Sequence, residues 1–569
     1  MKKNKVSIYI LIIVLTASLL PLPVFAASPT PAGYEKAIDL KILGLLKDAP
    51  EDFQLDRAVT RLDGVIMYVH LLGKDKQVRQ GHFTHPFTDV PGQAGNYAGF
   101  AYQNKLLQEI GKSKFVPDEP LTVGQFLTFV LSSLGYRDNI DFDSGNVLEK
   151  AVEKSLLSKS EASGLNCSKA LLRNSMIDIA YNALSAKMKD SSKTLLDKLV
   201  TTDRTVYKPA AAILGLYTSD LQEELGGMGR GALSFSGGTA AKTNTDLYCI
   251  IRNTIYHHEA QVTIDVGSYR GDAEKDFEKT FERALEAVVT VSGVQSPVSS
   301  WKYLSSGGTL DLTLEYRYSK SEYDTRKSNY ESAVDKARNI AARQLTDEMS
   351  EYAREKALHD YIISNTVFDY ENFINGTIPD TSFDAFGCLV RGTAVCEGYT
   401  EAMKLLCDLA GIECLIVTGE SKNSGVFEEH AWNIVKIDGT YCHVDLTSDD
   451  PVTNDGSNML TYCYFNLTDS EMAKVSKWDR RGLPVCNSNR NGYYYRNNRL
   501  ANNRNDFDKA LLKALGQRSN TIEIRVMDYT KPKYSNLTDV MVKSGNVLKY
   551  RYTVNDVYGV IRIFNIKYS

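Results

Sequence analysis

The sequence has no excess of either charge: 66 lysines and arginines stand against 70 aspartates and glutamates, with no long like-charge tail. That balance excludes the basic footprint with which a chain neutralises nucleic-acid phosphates. The nine cysteines include no Cys-x-x-Cys pair, which removes the usual spacing of a structural zinc site. No other clustered ligand set implies a metal or a cofactor. Nine is an odd number, so disulfides within one chain cannot use every cysteine. Past the first segment, no stretch approaches the roughly 18 apolar residues of a membrane helix.

One long apolar run is present, from Val6 to Leu20, preceded by Lys2, Lys3 and Lys5 and broken by Pro21 and Pro23. Val24-Phe25-Ala26 then places small residues at cleavage spacing, so residues 1–26 read as a secretory signal cut after Ala26. An uncleaved anchor is the alternative, although the run is short for a span. No cysteine follows the run, which argues against a lipoprotein. A secreted chain with no transmembrane span after cleavage is the expectation. At 569 residues it is too long for one ordinary core, and its 33 tyrosines suit polar, glycan-like or peptide-like surfaces.

Three N-terminal segments can be stacked: FQLDRAVTRLDGVIMYVHLLG from Phe53, FVPDEPLTVGQFLTFVLSSLG from Phe115 and NCSKALLRNSMIDIAYNALSA from Asn166. Each has a polar turn and then apolar residues at helical spacing. Thr60, Thr122 and Leu172 are equivalent, at intervals of 62 and 50 residues. Helical repeats at such a period bury their faces against one another. A Gly-rich connector, GGMGRGALSFSGGTAAKTNTD, follows from Gly226. AQVTIDVGSY and GTLDLTLEYRYS alternate as strands around an amphipathic helix, DAEKDFEKTFERALEAVV, and a long helical run from Asn329 comes next. The tail, with TIEIRVMDYT and LKYRYTVNDVYGVIRIFNIKY, reads as a small β module.

In GTAVCEGYTEAMKLLCDLAGIECLIV, Tyr399, Ala402, Met403, Leu406, Leu409 and Ala410 form one helical face that Gly411 ends. Cys396 therefore sits at a helix N-terminus, where unpaired backbone N–H groups stabilise a thiolate and can bind an oxyanion. Cys407 and Cys414 lie late in the helix and after it, outside that field. A thiolate nucleophile also needs a base with an orienting partner. In HAWNIVKIDGTYCHVDLTSDDP, two alternating runs flank Asp438-Gly439, a two-residue hairpin signal. With that loop, Ile437 faces Thr440 and Trp432 faces Asp445. His430 then lies diagonal to Asp445 on the same face, at roughly 7–8 Å between Cα atoms. His443 falls on that face too, and spacing alone does not choose between the two histidines.

Two resemblances follow from these residues. FTDVPG, KFVPDEPLTVGQFLTFVLSSLGY and VTRLDG resemble the S-layer homology family, which docks secreted proteins to cell-wall polymers; the third repeat differs in starting Leu172-Arg173 and lacking the leading Phe-x-Asp-Val. VCEGYTEAMKLLCDLAGIECLIVTGE, EHAWNIVKIDGTYCHVDLTSDDP and KALHDYIISNTVFDY resemble the transglutaminase-like superfamily in its bacterial, protease-like branch, over roughly Ser350 to Met472. YCYFNLTDSEM is similar to that family's closing segment. The second resemblance implies a papain-like core with Cys396 as nucleophile, His430 rather than His443 as general base and acid, and Asp445 as orienter. Cys388 stands where the family more often has a small or apolar residue, and a disulfide from it to Cys396 would block the nucleophile. His359-Asp360, in the family's helical motif, reads as structural.

The expected architecture is therefore multidomain. All-α S-layer-homology-like repeats (27–200) are followed by a connector (201–240) and an α+β pre-domain (241–340). A papain-like, transglutaminase-like α+β catalytic core (341–480) precedes a small β-rich C-terminal module (481–569). The expected function is that of a secreted, cell-wall-associated cysteine enzyme. It would act on amide bonds of a protein or peptide through a thiol acyl-enzyme, with hydrolysis preferred, and would hold a cell-wall polymer through its N-terminal repeats. Acyl transfer to an amine, which cross-links proteins, is one alternative. A wall-anchored scaffold with a silent papain-like fold is another, and cysteines serving as disulfide staples a third.

Overall fold

The computed structural model describes residues 33–105, 113–217, 239–423, 425–451 and 459–569. The apolar leader and most of the Gly-rich connector lie outside the described residues.

Thr60 and Thr122 each cap a helix, Arg61–Leu71 and Val123–Ser133, through reciprocal bonds with Asp63 and Gln125. Leu172 takes the equivalent place before Arg173–Leu184 and offers no side-chain cap. The third helix keeps its register because the backbone supplies what the side chain cannot. Val59 N–H donates to Leu171 O, Leu171 N–H to Leu121 O and Leu121 N–H to Val59 O, each at 2.8 Å, which closes a ring of the three entry segments. The first two N–H groups of every helix are then bound by the neighbouring segment: Arg61 by Glu119 O, Val123 by Lys169 O and Arg173 by Arg57 O. Spacing of 62 and 50 residues thus becomes one pseudo-threefold unit.

This helical block shares a single apolar core with the segment that carries Cys396. Arg338 reinforces the junction, donating to Asp39 Oδ1 from Nε at 2.9 Å and from Nη2 at 2.6 Å. Two expected boundaries change as a result. The connector drawn at 201–240 contains a helix, Lys208–Ile213, and Ala211, Leu214, Leu216 and Tyr217 are buried in that core. The boundary at 341 falls inside one continuous helix, Lys320–Gln344, whose second half buries Ala333, Val334, Ala337, Ile340 and Ala341. Small alanines leave a faint apolar signal in the sequence while permitting close helix contact.

Before it, Gln261–Asp265, Thr309–Tyr316 and Val298–Ser306 form a three-stranded antiparallel sheet in that order. The helices Asn244–Tyr256 and Ala273–Ser292 share an apolar core with it. Val298–Ser306 escapes sequence reading because nearly every position is exposed or half-buried, so alternation is weak. The C-terminal module is α+β rather than simply β-rich. Four strands, in the order Leu500–Ala501, Ile522–Val526, Val560–Tyr568, Val547–Asn555, pack with the helix Arg504–Gly516 through Phe507, Leu511 and Leu515.

Between these lies a five-stranded antiparallel sheet in the order Ser476–Trp478, Cys414–Asn423, Val426–Ile437, Thr440–Val444, Phe465–Leu467. The helix Cys396–Leu409 lies against it, burying Tyr399, Ala402, Met403, Leu406 and Leu409. Gly398 allows that helix to start where it does, since a Cβ there would stand 2.7 Å from Ser382 O and 2.8 Å from Ala394 Cβ. Gly398→Ala is expected to cost about 1–3 kcal/mol by overpacking, read as a lower urea midpoint at unchanged slope.

Candidate active site

The chain reaches Cys396 extended. Val395 donates its N–H to Ser382 O at 2.8 Å, and Ala394 pairs in parallel with Phe368. Val395 is the N-cap and has no side-chain acceptor to offer, so it caps none of the helix's first amides. Cys396 is half-buried and lines a groove of about 380 Å³ together with His430, Ser448 and Asp450.

The hairpin has the register that its turn dictates. Asp438 and Gly439 both have positive φ, 49° and 79°, and Ile437 faces Thr440 through to Asn433 facing Val444. One step further, His430 Nε2 lies 2.9 Å from Asp445 Oδ2. With Nε2 so engaged, Nδ1 is the ring nitrogen left to serve a sulfur. Burial alone would lower the His430 pKa. The charge and hydrogen bond of Asp445, together with the Cys396 sulfur, outweigh that and raise it to about 10. Asp445 is buried, yet the His430 charge and the Ser448 hydrogen bonds hold its carboxyl below the ordinary range.

His443 is occupied otherwise. The Trp432 indole N–H, which can only donate, reaches His443 Nδ1 at 3.0 Å, and His443 Nε2 meets Asp469 Oδ1 at 2.9 Å. Burial lowers the His443 pKa, so the neutral ring carries its proton on Nε2, toward Asp469. This also bears on the cluster of His443, Asp469 and Cys486, whose potential ligand atoms lie within 4.8 Å of one another. A cation there would need the Nε2 lone pair, which that proton occupies. Trp432, buried, stacks on His430 at 5.9 Å between ring centroids.

Several supporting residues are not apparent from sequence alone. Ser448 donates to Asp445 twice, from Oγ to Oδ2 at 2.7 Å and from N to Oδ1 at 3.1 Å, so Asp445 caps the short helix Leu446–Asp449 while holding His430. The Asp-x-x-Ser spacing of a cap is the signal that could have found it. At the other end of that turn, Asp449 accepts from Thr461 Oγ1 at 2.8 Å and from Tyr464 N at 3.0 Å, and it faces His359 Nε2 at 3.3 Å. His359 Nδ1 meets Asp360 at 3.1 Å. Burial works against a charged His359, but the two carboxylates raise its pKa. Burial pushes the Asp449 carboxyl up against the pull of His359, whereas at Asp360 burial is outweighed by His359 and Lys356 and the carboxyl lies below the ordinary range. Next to Asp449, Asp450 accepts from Tyr399 Oη at 2.5 Å, joining the turn to the Cys396 helix. All nine cysteines are free thiols, and Cys388 packs with Thr366.

Residues 338–446, which include Cys396, His430 and Asp445, match the family model of the transglutaminase-like superfamily. The chain carries a transglutaminase-like domain. A cell surface protein of Thermoanaerobacter kivui is 23% identical over 383 residues, 58% of this chain and 48% of that protein. Human kyphoscoliosis peptidase is 33% identical over 78 residues, 12% of each chain. The chain thus spans about half or less of the curated relatives it matches. A crystal structure of a TGase is 15% identical, with 39% of this chain and 60% of that one covered, and its TM-score of 0.19 is too low to carry weight.

Proposed function

We propose that the transglutaminase-like domain is a cysteine enzyme that hydrolyses peptide amide bonds through a thioester. The observation that carries this reading is His430, bonded to Asp445 at 2.9 Å, in the same groove as a cysteine at an uncapped helix start. The Cys396 sulfur adds to the amide carbonyl, and the first-turn N–H groups receive the oxyanion. The C–N bond breaks as His430 gives its proton to the leaving amine, which leaves an acyl-enzyme. Water, deprotonated by His430, then releases the carboxylate. Asp445 keeps the ring oriented and stabilises its charged form.

The N-terminal pseudo-threefold block is the surface-attachment part in this reading, holding a cell-wall polymer outside the cell. The kivui relative, named a cell surface protein and matching 58% of this chain, supports that placement.

The test is incubation of the protein with a peptide library and a labelled primary amine. Cleavage that disappears in Cys396→Ala, with little amine incorporated, is the expected outcome. Amine incorporation without cleavage would replace hydrolysis by acyl transfer, and neither product would leave the domain without enzymatic function.

A further inference from the structure

Two unlike groups of residues line the groove around Cys396. Phe368, Tyr370 and Phe373 form one of them. Tyr370 is 48% exposed and Phe373 39%, and the neighbouring Val367 and Ile374 are exposed as well. Apolar side chains gathered in this way on a surface mark a binding face. The shelf is also rigid. The Phe368 and Phe373 rings meet edge-on at 5.5 Å, and Asp369 between them accepts from Asn372 at 2.9 Å and Ser382 at 2.7 Å. Phe368 is paired with Ala394, two residues before Cys396, so the shelf is fixed relative to the sulfur.

The other group is acidic. Glu428 and Glu429, both exposed, immediately precede His430 and line the groove. Across the strands Glu429 stands directly opposite Glu420, which faces Lys477 on its other side. Glu397, the residue after Cys396, has its carboxyl pushed up by burial and by the Glu429 charge. Lys422 and the protonated His430 are the cations among the described lining residues.

We propose that this groove selects peptides in which an aromatic or large apolar residue lies close to a lysine or arginine, the ring against Phe368, Tyr370 and Phe373 and the cation against Glu428 and Glu429. The proposal rests on the acyl-enzyme reading for its consequence, but binding can be measured without chemistry. Cys396→Ala protein is titrated with fluorescent peptides of equal length: Lys/Phe, Glu/Phe and Lys/Ser. The Lys/Phe peptide is expected to bind roughly three- to tenfold more tightly than Glu/Phe, and the advantage should shrink in about 1 M salt, where screening is nearly complete. In the Cys396→Ala background, Glu428→Gln with Glu429→Gln should remove the charge preference, and Glu428→Lys with Glu429→Lys should reverse it. Tyr370→Ser with Phe373→Ser should remove the preference for Phe over Ser while leaving that for Lys over Glu. Equal binding of Lys/Phe and Glu/Phe, or a charge preference that survives both glutamate variants, overturns the proposal. Failure of the acyl-enzyme reading would appear separately, as absence of cleavage by the unaltered protein.

Discussion

His430→Ala is expected to slow acylation of Cys396 by about 10²–10⁴-fold, the usual contribution of a general acid–base, while the protein stays folded. The ring stands at the groove, 12% exposed, and Asp445 keeps both of its Ser448 hydrogen bonds when it is removed. The pH dependence separates this role from simple packing. Because His430 holds its proton up to about 10, turnover of the unaltered protein should fall only as pH rises through that value, where the acid for the leaving amine is lost. The carboxylate charge of Asp445 is what raises the histidine. Asp445→Asn should therefore move the alkaline limb to lower pH as well as reduce the rate. An unmoved limb in Asp445→Asn would contradict the assignment of Asp445 as orienter. The same raised pKa stabilises the fold: the contribution is full below about 6.5 and is lost as pH rises through about 10.

The second large effect concerns stability. His359→Ala should destabilise the protein by about 3–5 kcal/mol, the cost of removing one partner from a buried charged pair. His359 and Asp449 are both fully buried, and after the substitution Asp449 retains only Thr461 and Tyr464 as polar partners among its described contacts. The His359 pKa is raised in the folded state. Its stabilising contribution is therefore full below the ordinary histidine value of about 6.5 and fades as pH rises through the folded value. Urea midpoints of the two proteins should differ most on the acid side of neutrality and draw together in alkali. A difference of equal size throughout would mean that His359 acts by packing against Tyr462 and Phe465, with which its ring is in contact.

Much of the site is legible in the sequence because its determinants are local. Tyr399, Ala402, Met403 and Leu406 fix where the Cys396 helix begins, and Asp438-Gly439 fixes a register in which His430 and Asp445 share a face. What escapes sequence reading is set by contacts distant in the chain. The link from His359 to Asp449 joins residues 90 apart. The choice between His430 and His443 on structural grounds depends on Trp432 and Asp469 occupying the latter. The ring of carbonyls that replaces the missing cap at Leu172 requires all three N-terminal segments together. The boundaries at 201 and 341 fail for the same reason: Arg338 and the alanine stripe beside it are meaningful only once Asp39 and the N-terminal block lie against them.

The most direct test of a Cys396 sulfur activated by His430 is alkylation with iodoacetamide at pH 6, mapped cysteine by cysteine. A small free thiol alkylated in the same mixture supplies the standard of an ordinary, unburied cysteine. The account predicts that Cys396 is labelled well ahead of that standard, as well as of the other eight cysteines, and that the lead over the standard disappears in His430→Ala. Labelling of Cys396 at the pace of the standard, or a lead over it that persists without His430, would contradict it.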